Sequence, residues 1–280
     1  VHRGGLEAEF VERGRMKKQG GYVVVLGQPG AGKAAFLQAA LERRPEDIVL
    51  VAKHYTYLPR RTYGRERVEE DRVLETLLAQ IQHTFGREQL RITREAFHQT
   101  LAAIGTKLIG NDQVGVVVLD ALDELVEYRD VPVPLLDGLL PEHVPPGIVF
   151  VLSAQSEAQF VHRIARHARD PLAVGALPTA QACDLIRATR VQDERPKQGW
   201  QALTEDEMRA AAHRASGLPL LLILIARRLA SFPDVTTTLA EEPPADGAVR
   251  ATVHAQSQRL PPDPRLVPPG LSHARRPGSG

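Results

Sequence analysis

A glycine-rich loop, Gly27-Gln28-Pro29-Gly30-Ala31-Gly32-Lys33, leaves few folds open to this chain. It follows Tyr22-Val23-Val24-Val25-Leu26, an apolar and β-branched run that reads as a short buried strand. It precedes Ala34 to Leu41, a stretch rich in helix formers. The loop matches G-x-x-x-x-G-K, a phosphate-binding signature whose diagnostic setting is a strand before it and a helix after it. The glycines let the backbone turn so that successive N–H groups face phosphate oxygens. The helix N-terminus adds partial positive charge, and Lys33 a full one. The competing reading is a purely structural turn, and the strand–helix setting favours phosphate. One part is missing: the position after the lysine, where a Ser or Thr hydroxyl holds magnesium, is Ala34. Gly27, Gln28, Pro29, Gly30, Ala31, Gly32, Lys33 and Ala34 thus make a candidate nucleotide site that is damaged for hydrolysis.

A second motif lies 87 positions after Lys33. Val116 to Leu119 lead directly into Asp120, and a carboxylate at the C-terminal end of a buried strand points into the crevice where open α/β sheets bind ligands. There Asp120 can hold magnesium, directly or through water. Asp123 and Glu124 follow on the next turn, placed to orient or deprotonate an attacking water. The same acids would also serve as caps of a following helix.

Between and around these motifs, strands and helices alternate. Strands are predicted at 22–26, 48–52, 114–119 and 148–152, with a short one near 171–174. Amphipathic helices are predicted in the lead-in residues 1–19, at 68–85 and at 93–108, with further helical stretches at 135–140 and 160–168. This alternation implies a parallel sheet covered on both faces, an α/β fold. After about residue 176 the pattern becomes purely helical: Thr179 to Thr189, then Thr204-Glu205-Asp206-Glu207 as a capping box opening a helix to Ala215, then Leu220 to Ser231. From Glu241 onward eight prolines, four glycines and no aromatic residue occupy 40 positions, a composition read as disordered. The expected organisation is a nucleotide-binding core over 1–176, a helical domain over 177–232 and a Pro-rich tail over 233–280.

Composition narrows the function. With 35 Lys and Arg against 34 Asp and Glu, the net charge of +1 gives no bulk attraction to nucleic acid or membranes. The longest apolar run, Leu218 to Ala226, is far short of the roughly 20 residues that a membrane span needs. The single cysteine, Cys183, excludes an internal disulfide and fits a reducing, cytoplasmic setting. Nothing in the first residues resembles a signal peptide, and a start at Val1 suggests a segment of a longer protein. Arg60, Arg61, Arg65 and Arg67, with Tyr57 and Tyr63, stand among acidic residues and read as a solvated loop. His162 and His167 are five apart, which puts them off a common helix face and argues against a metal pair.

Together the motifs resemble the NACHT-type group within the STAND class of P-loop NTPases, which are signal-transduction ATPases. Asp120-Ala121-Leu122-Asp123-Glu124-Leu125 is similar to that group's second nucleotide motif. Gly217-Leu218-Pro219-Leu220 is similar to the Gly-x-Pro segment of the helical domain that follows the core. The resemblance spans about residues 10–232. It implies a five-stranded core of the ASCE type, strand order 5-1-4-3-2, with ATP or ADP and Mg2+ held between core and helical domain. It further implies phosphates wrapped by Gly27 to Lys33, magnesium on Asp120, a catalytic acid at Asp123 or Glu124, and Pro219 packed near the base. A switch between ADP-closed and ATP-open, oligomeric states would follow, with protein partners reached through flanking domains.

Two departures bear on that expectation. Ala34 removes the magnesium-binding hydroxyl. Where the family often has Ser or Thr followed by x-Arg, this chain has Ser153-Ala154-Gln155, so an uncharged Gln155 replaces the arginine that senses the terminal phosphate. Losing such a charge-assisted contact removes about 1.5–3 kcal/mol of discrimination between tri- and diphosphate. The expected function is therefore a nucleotide-held regulatory switch with weak or absent hydrolysis. Two alternatives stay open: an interaction scaffold that no longer binds nucleotide, and a competent ATPase in which water or Asp120 compensates for Ala34.

Overall fold

A computed structural model describes residues 3–56, 70–86, 91–122, 138–155, 170–192 and 203–231. Its elements run in the order α1 (Gly4–Met16), β1 (Gly21–Gly27), α2 (Lys33–Glu42), β2 (Ile48–Tyr55), α3 (Glu70–Phe85), α4 (Arg94–Gly110), β3 (Val114–Asp120), β4 (Ile148–Gln155), β5 (Leu172–Ala173), α5 (Thr179–Gln192), α6 (Glu205–Arg214) and α7 (Pro219–Ser231). The five strands form one sheet in the order β2-β3-β4-β1-β5, every pairing parallel. This is the expected 5-1-4-3-2 order read from the other edge, and the fold is the α/β P-loop NTPase fold.

The sheet is covered on both sides, which explains why its central strands read as unbroken apolar runs rather than alternating ones. Alternate side chains enter two separate cores. Val23 and Val25 of β1, Val114, Val116 and Val118 of β3, and Val149 and Val151 of β4 pack with Phe36, Leu37, Ala40 and Leu41 of α2. Tyr22, Val24, Val117, Leu119, Phe150 and Leu152 point the other way, into a core closed by α3 and α4. Along β3 and β4 this parity carries past the apolar stretch. It sets Asp120, Ser153 and Gln155 on the α2 face.

Within the described residues, the helices and strands lie where the pattern placed them, with ends moved by a few residues. β2 runs to Tyr55 and β4 to Gln155, because pairing with β3 and β1 continues beyond the apolar residues. Thr93 caps α4 by accepting from the Ala96 N–H at 3.2 Å, and Thr204 with Glu207 forms both halves of the expected capping box on α6. On α7, Leu222, Ile225, Ala226 and Leu229 follow helical spacing and are buried in the α2-side core, with Met208 and Ala211 of α6 and Ile186 of α5. Each such large aliphatic side chain contributes about 1.5–3 kcal/mol by burial. The lead-in helix joins the same core: the Phe10 ring meets Phe36 edge-on at 6.0 Å. Among the described residues, no helix is long and apolar enough to cross a membrane.

The predicted helices at 135–140 and 160–168 fall wholly or mostly outside the described residues. So do the arginine-rich loop, His162, His167 and the Pro-rich tail.

Candidate functional site

The phosphate loop joins the end of β1 to the start of α2. Gly30 and Gly32 hold φ of 76° and 85°, the left-handed region where an L side chain is strained. Gly32 is the N-cap of α2 and contributes no side-chain cap. The first helical bond runs from Phe36 N–H to Gly32 O at 2.9 Å, so the opening turn of α2 is presented to the loop. The Lys33 ammonium folds back across the loop and donates to Gly27 O at 2.9 Å and Gln28 O at 3.4 Å. Gly27 is held by a close approach: a Cβ there would lie 2.5 Å from Val174 O beside β5.

Two other parts of the chain grip the outside of this loop. The N-terminus of α7 brings Leu220, whose N–H donates to Gly30 O at 3.2 Å. Pro219 stands against Gly32, its Cγ 3.4 Å from where a Cβ would be. The structure thus brings Pro219 to the phosphate loop from a helix some 190 residues away in sequence. From the other side, the Arg3 guanidinium donates to Ala31 O and Gly175 O, both at 2.9 Å. Burial lowers the Arg3 pKa. No pattern in the sequence marks Arg3, because its partners are backbone carbonyls.

Asp120 closes β3 and is 2% exposed. Its Oδ1 accepts from the Ser153 hydroxyl and from the Ala121 N–H, the latter at 2.9 Å. Ala121 holds a φ of 61°, so the chain turns sharply once the strand ends. That turn is laced from β2: the Thr56 N–H donates to Asp120 O at 3.0 Å, and the Thr56 hydroxyl lies within reach of both Asp120 O and Ala121 O. From β4, Ser153 O accepts from the Leu122 N–H at 2.9 Å. Tyr55, opposite Asp120 in the β2–β3 register, has its pKa raised by burial and by the nearby carboxylate. Thr56 and Ser153 are site residues that sequence reasoning missed in this role. For Ser153 a signal existed: a lone hydroxyl in an apolar strand, on the parity that faces Asp120.

Gln155 pairs with Gly27 in the β1–β4 register, which sets it on the strand beside the loop's first glycine. Asp123 and Glu124, the candidate catalytic acids, lie outside the described residues. Among the described residues no group of three or more His, Cys, Asp or Glu gathers as a metal site. A magnesium ion held on phosphates needs only one or two protein carboxylates. A glycine cradle opening a helix, a lysine at its mouth and a buried carboxylate on the same sheet face fit a phosphate with its hydrated cation.

No protein-family model matches the sequence, and no curated protein matches it. Solved structures do. The chain is similar to "the Walker-type ATPase PABY2304 of Pyrococcus abyssi", with a TM-score of 0.59 and 17% identity over 92% of this chain and 76% of that one. It is similar also to the Aeropyrum pernix ORC2 protein, described as ADPNP–ADP complexes, with a TM-score of 0.51 and 15% identity over 86% of this chain and 68% of that one. At these identities the likeness establishes the fold.

Proposed function

We propose that the chain is a nucleotide-binding module that holds ATP or ADP with Mg2+ and hydrolyses ATP slowly or not at all. The observation that carries this reading is the phosphate loop: left-handed Gly30 and Gly32 opening α2, with Lys33 folded over the cradle and Asp120 buried on the same face of the sheet. Backbone N–H groups and Lys33 would bind the phosphates, and Asp120 would hold the cation. The bound ion would supply charge that neutralises the phosphates. Asp123 or Glu124 would orient an attacking water. Ala34 withdraws a hydroxyl from the cation, and Gln155 puts a neutral amide where a guanidinium would mark the third phosphate. Both changes weaken turnover and triphosphate sensing more than they weaken diphosphate binding. The nucleotide-bound state of the similar ORC2 structure supports the same reading by fold.

The finer assignment is a NACHT-type STAND switch. The order of the loop, Asp120 and Gly217-Leu218-Pro219 supports it, as does the grip of Pro219 and Leu220 on the phosphate loop, which ties the loop's state to α7. Such a switch would work in the cytoplasm through flanking protein partners and a nucleotide-dependent homo-oligomer. Binding of labelled ATP and ADP, with parallel phosphate-release assays, tests the proposal. Saturable binding of both, with release far below the roughly 1 per second of slow ordinary enzymes, is expected. Absence of binding at millimolar nucleotide would leave the scaffold reading, and ordinary turnover would leave the competent ATPase.

A further inference from the structure

We propose that Ser153 is a positioning residue for Asp120, fixing the carboxylate that would hold the nucleotide's magnesium in a site whose loop lacks its own hydroxyl. The inference rests on the nucleotide-binding reading above. Ser153 is fully buried at 0% exposure, flanked in β4 by Leu152 and Ala154, also at 0%. A hydroxyl so placed is unfavourable unless it is hydrogen-bonded. Its partner is Asp120 Oδ1, to which it donates. The Ala121 N–H donates to the same oxygen and lies 3.4 Å from the Ser153 hydroxyl, so the two donors and the carboxylate form one closed cluster. Two donors on a single oxygen fix the rotation of the carboxylate. Ser153 O also takes the Leu122 N–H, so one residue of β4 holds both the Asp120 side chain and the chain leaving it.

The strand parity supplies the link to the phosphate loop. Asp120 and Ser153 both face the α2 side of the sheet, the side on which Lys33 and Ala34 open α2. A hydroxyl from β4 thus bonds the Asp120 carboxylate, while the position after Lys33 carries a methyl group. A preset carboxylate raises affinity for a cation by removing the cost of orienting it on binding.

The test compares ADP affinity with magnesium and with EDTA for the unaltered chain, Ser153→Ala and Ser153→Thr. Ser153→Ala is expected to weaken ADP binding with magnesium by roughly tenfold, the effect of one charge-assisted hydrogen bond, and to leave binding in EDTA within about twofold. Ser153→Thr, which keeps the hydroxyl, is expected to restore the magnesium increment. A purely structural role would weaken binding equally in both conditions, and that result overturns the inference. A magnesium effect that survives Ser153→Ala overturns it too, as does a chain that binds ADP with no magnesium effect at all. If the unaltered chain binds no ADP, the nucleotide reading fails and this inference with it. Should Ser153→Ala not fold, Ser153→Cys, nearly isosteric with a weak donor, carries the same comparison.

Discussion

The phosphate loop and the carboxylate end of β3 lie on one face of one sheet and are built in opposite ways. The loop is made by neighbours in sequence: Gly27 to Lys33 hold their shape through glycine dihedrals, a turn from Ala31 N–H to Gln28 O, and a lysine bonded to its own loop. The carboxylate end is made by residues far apart. Thr56 just past β2, Asp120 of β3 and Ser153 of β4 meet only because three parallel strands run side by side. The loop's dihedrals are set locally, and Arg3, Pro219 and Leu220 buttress it from outside. A site laced across strands is sensitive to each strand it borrows from. The departures from the expected motif, Ala34 and Gln155, stand beside the loop, one opening α2 and the other paired with Gly27, while the glycines and Lys33 of the cradle are all present.

The strongest break of the comparison is Lys33→Ala. Removing the cation is expected to weaken both ATP and ADP by about a hundredfold, on the order of 3 kcal/mol, in magnesium and in EDTA alike, as read by equilibrium titration. Next comes Gly27→Ala, whose Cβ would lie 2.5 Å from Val174 O. The backbone must move, at a cost of about 1–3 kcal/mol in denaturant unfolding. Ala34→Ser sharpens the contrast from the other side. It is expected to raise magnesium dependence by several-fold to tenfold and to increase any phosphate release, because it returns a hydroxyl to the opening turn of α2.

Ala121→Gly should stabilise the chain by up to about 1 kcal/mol, since Ala121 sits at φ 61° where glycine carries no Cβ penalty. Thermal unfolding reads the gain. The smallest effect lies away from both regions. Hydrogen bonding to Arg15 holds the Asp47 pKa below its ordinary value, so this pair contributes stability above the usual carboxylate range and loses it as pH falls through the depressed value. Asp47→Asn is expected to flatten the acid limb of stability slightly, because the pair is exposed, and to leave nucleotide affinity unchanged.

These differences also explain what the sequence made legible. The strand–loop–helix unit was readable because its cause is local: glycines at fixed spacing between an apolar run and a helical one. The parallel sheet was readable from β3, whose residues are apolar on both faces and so need cover on both sides. Asp120 was readable as a strand-end carboxylate, yet its partners were not. Thr56 follows an exposed-looking polar stretch and Ser153 lies within an apolar one, and only the β2–β3–β4 register brings them together. Arg3 was invisible for a different reason: a cation that binds backbone carbonyls leaves no complementary charge in the sequence to find. The placing of Pro219 against Gly32 is likewise a product of packing, since α7 buries Leu222, Ile225 and Leu229 in the α2-side core and so delivers its N-terminus to the loop.

In the proposed reading, loop and carboxylate form one nucleotide site in two separable halves. Calorimetric titration of ADP, with magnesium and with EDTA, into the unaltered chain and Asp120→Asn tests it most directly. The account predicts one saturable site in the unaltered chain, tighter with magnesium, and an Asp120→Asn variant that keeps the EDTA affinity and loses the magnesium increment. No binding by the unaltered chain at millimolar ADP, or a magnesium increment untouched by Asp120→Asn, would contradict it.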